Sequence, residues 1–118
     1  MTRRMLPNRR ACYTTTLRWY NTDYAVSISL FDDDAPAEVF ITGAKAGSDV
    51  QAVSRDAAIV IRLALQFGCP LSVMHHAVTR EEDGATTPII GLLVEEMDRE
   101  HGRVVEATKL RIDEGAEV

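Results

Sequence analysis

Three groups of residues have the types and spacing to do chemistry. Gly43-x-Lys45-x-Gly47-Ser48 stands just ahead of an apolar helical run. Backbone N–H groups at a helix start, with Lys45 as counter-charge, make a cradle for a phosphate. The spacing and the Gly-Lys-Ser/Thr ending of a P-loop are missing, so a plain turn with a solvated lysine explains the same residues. Adjacent His75 and His76 project about 100° apart on a helix, so they cannot both face one metal without a third element. Asp32-Asp33-Asp34 offers three carboxylates to a hard cation, but the further ligands of a calcium loop are absent and an acidic turn accounts for them. No metal and no cofactor are expected.

The two cysteines are weaker candidates. Cys69 lies between a helix end and Pro70, and the start of the next helix would lower the pKa of such a thiol. No fixed base is apparent, so a packed thiol is favoured. Cys12 is far from it, and no CxxC pair or zinc spacing exists. Without a disulfide framework the chain reads as a reduced, cytoplasmic protein. There is no Gly-x-Ser-x-Gly nucleophile elbow. Arg55-Asp56 offers charges to a partner chain or to its own neighbours.

One alternative reading is DNA binding. In Leu63–Val78, Ala64, Gly68 and Met74 roughly fit the small, turn and apolar positions of a helix-turn-helix. Ser72, His75 and His76 would then face DNA, joined by Arg9 and Arg10 from the N-terminal arm. The strands ahead of this segment, its lack of basic residues and an acidic body count against it.

The elements that must position these groups follow from periodicity. Residues 1–11 read as an irregular basic arm. Tyr13–Tyr20 and Tyr24–Phe31 alternate with period two, as half-buried strands do, and Asn21-Thr22-Asp23 turns between them. After the turn Asp32–Pro36, Glu38–Thr42 adds a third strand, which predicts a three-stranded antiparallel meander with one apolar face to cover. Ser48 with Gln51 fits a capping box opening a helix. Val50, Val53, Ala57, Val60, Ala64 and Phe67 recur at helical spacing, and Ile61 and Leu65 make a second face apolar. A helix apolar on more than one side is buried, here between the sheet and something else, which points to a homodimer. Gly68 and Pro70 end it. Leu71–Val78 forms a short second helix. Thr87-Pro88 opens a third, with Ile89, Ile90, Leu93, Val94 and Met97 inward, ending near Gly102. Residues 103–118 read as an acidic tail, with a short strand within Val104–Ile112 as an option. The fold class is α+β, in one domain over residues 12–102.

Composition bounds the function. The 118 residues are 46% apolar and 26% charged, as in an ordinary globular domain. An eight-stranded α/β barrel would need roughly twice this length. The net charge of −5 hides an asymmetry: residues 1–22 hold five arginines and no acid, and residues 23–118 carry a net −10. An acidic body argues against broad nucleic-acid binding, while the arm keeps a local contact with phosphate or an acidic partner open. No signal peptide or membrane span is expected, because Leu6-Pro7-Asn8 interrupts the N-terminus and Arg62 interrupts the most apolar stretch.

The order of signals resembles one family. Leu6-Pro7-Asn8-Arg9-Arg10, the hairpin, Glu38-Val39-Phe40-Ile41, Gly43-Ala44-Lys45-Ala46-Gly47-Ser48, Arg55-Asp56-Ala57-Ala58 and Leu63–Leu71 follow one another as in the TSCPD domain. That domain lies towards the C-terminus of adenosylcobalamin-dependent ribonucleotide reductases and occurs as a small stand-alone bacterial protein. The likeness spans about residues 6–95. The Thr-Ser-Cys-Pro-Asp string that names the domain is absent, as is a C-terminal cysteine pair. The resemblance implies a non-catalytic accessory or regulatory module; its candidate ligands are a nucleotide phosphate, held at Gly43, Lys45, Gly47 and Ser48, or a protein partner. It implies no reductase activity in this chain alone.

Overall fold

The computed structural model describes residues 2–19, 22–45, 47–87 and 90–116, with side chains as far as residue 103. Three strands, β1 (Cys12–Trp19), β2 (Thr22–Leu30) and β3 (Pro36–Thr42), precede three helices, α1 (Asp49–Gln66), α2 (Leu71–Ala77) and α3 (Ile90–Ala116). The strands form one antiparallel sheet in the order β1-β2-β3, the α+β meander that the alternation predicts. Trp19 pairs with Thr22 and Arg18 with Asp23, so Thr22 and Asp23 belong to the strand rather than to the turn expected there. An ion pair of 2.8 Å between Arg18 and Asp23 accompanies that register. Tyr20 and Asn21, which join the two strands, lie outside the described residues, as do Ala46, Pro88 and Ile89.

Alternate residues of the sheet face inward. Val26, Ile28 and Val39 pack with Ile61 and Leu65 of α1 and with Leu93, Val94 and Met97 of α3. Each such side chain contributes about 1.5–3 kcal/mol on burial. Small Ala57 and Ala58 in the buried face of α1 let that helix approach β3 closely. Ser48 caps α1 as expected: its Oγ accepts from the Gln51 N–H at 3.2 Å. Gly68, at φ +94°, and the bond from Cys69 N–H to the Ala64 carbonyl at 2.9 Å close the other end.

Two expectations need correction. The stripe Val53, Val60 and Phe67 does not face the core; it faces outward, and the core stripe is Ala57, Ile61 and Leu65. Both stripes have helical spacing, and the sheet selects the one with small residues where the backbones come close. The third helix also does not stop near Gly102. It continues to Ala116, so residues 103–116 are helical where a tail or a short strand was expected. A glycine inside a helix costs only about 1 kcal/mol. Ion pairs Glu96–Arg99 and Glu100–Arg103, each three residues apart, hold the turns around Gly102. Among the described residues, no helix is long and apolar enough to cross a membrane.

The basic arm is irregular but tied down. The Arg4 N–H donates to the Gln66 carbonyl at 2.6 Å, and Arg3 Nε donates to Gln66 Oε1 at 2.6 Å. Arg4 also pairs with Asp32 and Asp33, at 3.0 and 3.2 Å, while its guanidinium stacks 3.9 Å over the Phe31 ring. The Ala35 N–H, and after it Arg4, hold the Asp33 carboxyl below its ordinary pKa. Arg10 bonds Glu38, whose side chain is only 4% exposed on the outer face of the sheet.

Candidate ligand groove

The loop ahead of α1 spends its polar groups on itself. Ser48 Oγ donates to the Lys45 carbonyl at 2.6 Å, and Gly47 N–H donates to Gln51 Oε1 at 2.7 Å. These bonds occupy much of the expected phosphate cradle, with Asp49 adding a negative charge at the same helix end. Lys45 is exposed beside it. Gly43 serves the backbone instead. At φ +125°, a Cβ there would lie 2.8 Å from the Asp23 carbonyl, so glycine lets the chain leave β3 against the neighbouring strand.

The other named residues are dispersed. Arg10 is occupied by Glu38, and Arg9 is exposed on the arm. His75 Nδ1 bonds Asp98 Oδ2 at 2.7 Å, which turns it towards α3, while His76 is exposed. The helix carrying them has seven residues. The Cys69 thiol lies 3.7 Å from the Pro70 carbonyl, its one hydrogen-bond contact among the described residues. The Asp32–Asp34 turn has Arg4 as its counter-charge, in the place a cation would take. Among the described residues, no group of three His, Cys, Asp or Glu is placed to hold a metal.

What the fold does build is a groove of about 550 Å³ between β3 and α1. It arises because the short loop after β3 sends α1 back along that strand, with Gln66 near Ala37 at the far end. Phe40, Ile41 and Thr42 line one wall, and Ser54, Ala58 and Ile59 the other. Gly43 and Ala44 close one end. Arg55 and Arg62 both line it. Seven residues apart, they sit on nearly the same side of the helix, about 10.5 Å from each other along its axis. Neither has an acidic partner among the described residues. Arg62 Nε is covered from solvent, with no hydrogen-bond partner among the described residues. A buried donor left unpaired costs about 1–3 kcal/mol, and a turn of the side chain that brings its guanidinium onto an anion in the groove would recover that loss.

The groove was not foreseen, although its signal was in the sequence. An arginine inside the apolar run Ala57–Leu65 must either reach water or find a partner, and Arg55 stands two turns before it on the same side. No family model, curated protein or solved structure matches the chain.

Proposed function

We propose that this chain is a non-catalytic binding module that holds an anionic group, of a nucleotide or of a protein partner, in the groove between β3 and α1. The observation that carries this reading is that Arg55 and Arg62 line one groove with no acidic partner among the described residues, and that Arg62 Nε is left without a hydrogen bond there. The anion belongs at Arg55 and Arg62, with Gly43 at the groove's end, rather than on the self-satisfied Lys45–Ser48 loop. The resemblance to the TSCPD domain supports an accessory or regulatory role beside a cobalamin-dependent reductase, without reductase activity of its own. Free Cys12 and Cys69 fit a reducing cytoplasm. DNA binding through residues 63–78 is the weaker reading, because the second helix is short and His75 is engaged by Asp98.

Calorimetry against inorganic phosphate and a panel of nucleotides at low salt tests the groove. Binding that Arg62→Gln weakens about tenfold or more is expected. Binding that instead follows Lys45→Ala would return the site to the loop, and no binding at millimolar concentration would remove the small-anion reading.

The same module is proposed to be a homodimer. Val53, Val60, Leu63 and Phe67 are 36–58% exposed along the outer side of α1, an apolar stripe that a second copy would cover. Val60→Asp should then give a folded monomer in sedimentation. Ile61→Asp should unfold the chain instead, since Ile61 is 2% exposed in the protein's own core. A wild-type chain that stays monomeric at high concentration would refute the dimer.

A further inference from the structure

The groove has a feature that a site for a small anion does not need. One of its walls is the free edge of a sheet. Among the described residues β3 pairs only with β2, so its other side presents backbone N–H and C=O groups that no strand takes up, although Gln66 reaches the Ala37 carbonyl at 3.5 Å. Such an edge is a template for an added strand. Beside it stand Phe40, half exposed, and Ile59, 41% exposed. Arg55 and Arg62 lie along the same run. A rounded ligand such as a single phosphate uses one arginine and leaves the edge empty. An extended chain uses all of these features together.

We propose that the groove takes an acidic peptide segment of a protein partner in extended conformation, added as a fourth strand on the β3 edge. Its backbone bonds to β3. Acidic side chains on the face turned towards α1 pair with Arg55 and Arg62, and an apolar side chain packs on Phe40 or Ile59. Residues two apart in a strand are about 6.8 Å apart, and the flexible arginines reach across the difference from their own spacing. Charge complementarity selects this occupant: the two arginines of the groove have no acidic partner among the described residues, whereas the strand β3 of a second copy offers only Glu38, which Arg10 already holds. This assignment rests on the anion-binding reading above and goes further by naming the shape of what carries the charge.

The test uses the full chain and a fluorescein-labelled Thr-Glu-Val-Glu-Val-Thr peptide, followed by anisotropy. Its partners are the same peptide with glutamine for glutamate, two versions N-methylated on one or the other set of alternate amides, and inorganic phosphate as competitor. The acidic peptide should bind, more weakly as salt rises, and the glutamine version should bind about tenfold or more weakly. Arg55→Gln and Arg62→Gln should each cost a similar factor, and the first covers the case in which the second fails to fold. A strand added to an antiparallel edge uses alternate N–H groups. One methylated peptide should therefore bind like the parent and the other should lose binding. If both methylated peptides bind alike, strand addition is overturned. If phosphate binds through Arg62 and no peptide does, the anion site stands and the peptide assignment falls. If neither binds, both readings fall. Protection of β3 amides that rises with protein concentration would assign the edge to a second copy and overturn the peptide.

Discussion

Arg10→Ala should destabilise the protein far more than a surface substitution does. Both Nε and one terminal nitrogen of Arg10 converge on Glu38 Oε1, at 2.9 and 2.8 Å. Glu38 is 4% exposed, while Arg10 keeps 33% of its side chain in contact with water. Removing one partner of a fully buried pair costs about 3–5 kcal/mol, because a charge is left in a poor medium. An exposed pair contributes only about 0–1 kcal/mol. With one partner buried and the other a third exposed, about 2–3 kcal/mol is the expected loss. At this chain length that lowers the melting temperature by about 8–12 °C. Glu38→Gln in the Arg10→Ala background should restore more than half of the loss, since the unpaired charge is gone. Thermal melts by circular dichroism at neutral pH and low salt measure all three proteins. If Arg10→Ala melts within about 1 °C of the parent, the arm is a solvated leader and the reasoning fails.

Tyr13 has a buried hydroxyl with no hydrogen-bond partner among the described residues, and burial first, then the Glu100 and Glu96 carboxylates, push its pKa up to about 12. Tyr13→Phe should be neutral or up to about 1 kcal/mol stabilising at neutral pH. The folded pKa is the raised one, so the wild type should lose stability as pH rises from the ordinary tyrosine value of 10.0 through about 12. The variant should lack that slope in urea titrations, and an unchanged slope would sink the assignment. Asp33 has the opposite sign: its folded pKa lies below 3.8, so its contribution is present above that value and lost as pH falls through the folded one. Amide exchange at Arg4 should accelerate in that acid range, and Asp33→Asn should remove the dependence; exchange that ignores both would disconnect Asp33 from the arm. Gly43→Ala, with its Cβ driven to 2.8 Å from the Asp23 carbonyl, should cost about 1–3 kcal/mol in denaturant melts, and a neutral result would mean the β3 end relaxes freely.

Local patterns were legible wherever one residue's neighbours decide its state. The alternation Thr15, Leu17, Trp19 and Tyr24, Val26, Ile28 marked the sheet, and Ser48 with Gln51, then Gly68, bounded α1. What failed required knowing which of two equivalent choices the tertiary structure takes. Val60 and Ile61 are both apolar and adjacent, so periodicity alone does not say which one meets the sheet. Gly102 is a stop in one context and a tolerated interior residue in another, depending on the charge pairs around it. The anchoring of the arm was not visible because its partners lie 28 to 63 residues away. The groove was missed for the same reason: its arginines were visible, but the strand edge they flank comes from a different element.

The anchoring of the arm also sets an order in time. Residues 3–10 are made before every element they bind, and Gln66, which holds Arg3, follows it by 63 residues. At about 5–20 residues per second, that is a wait of about 3–13 seconds on the ribosome. Until then the meander can pair its strands, but the arm has nowhere to anchor beyond Glu38 and the acidic turn. The arm, made before its partners, is thus among the last segments to settle, and its docking on Gln66 registers that α1 has formed to its end.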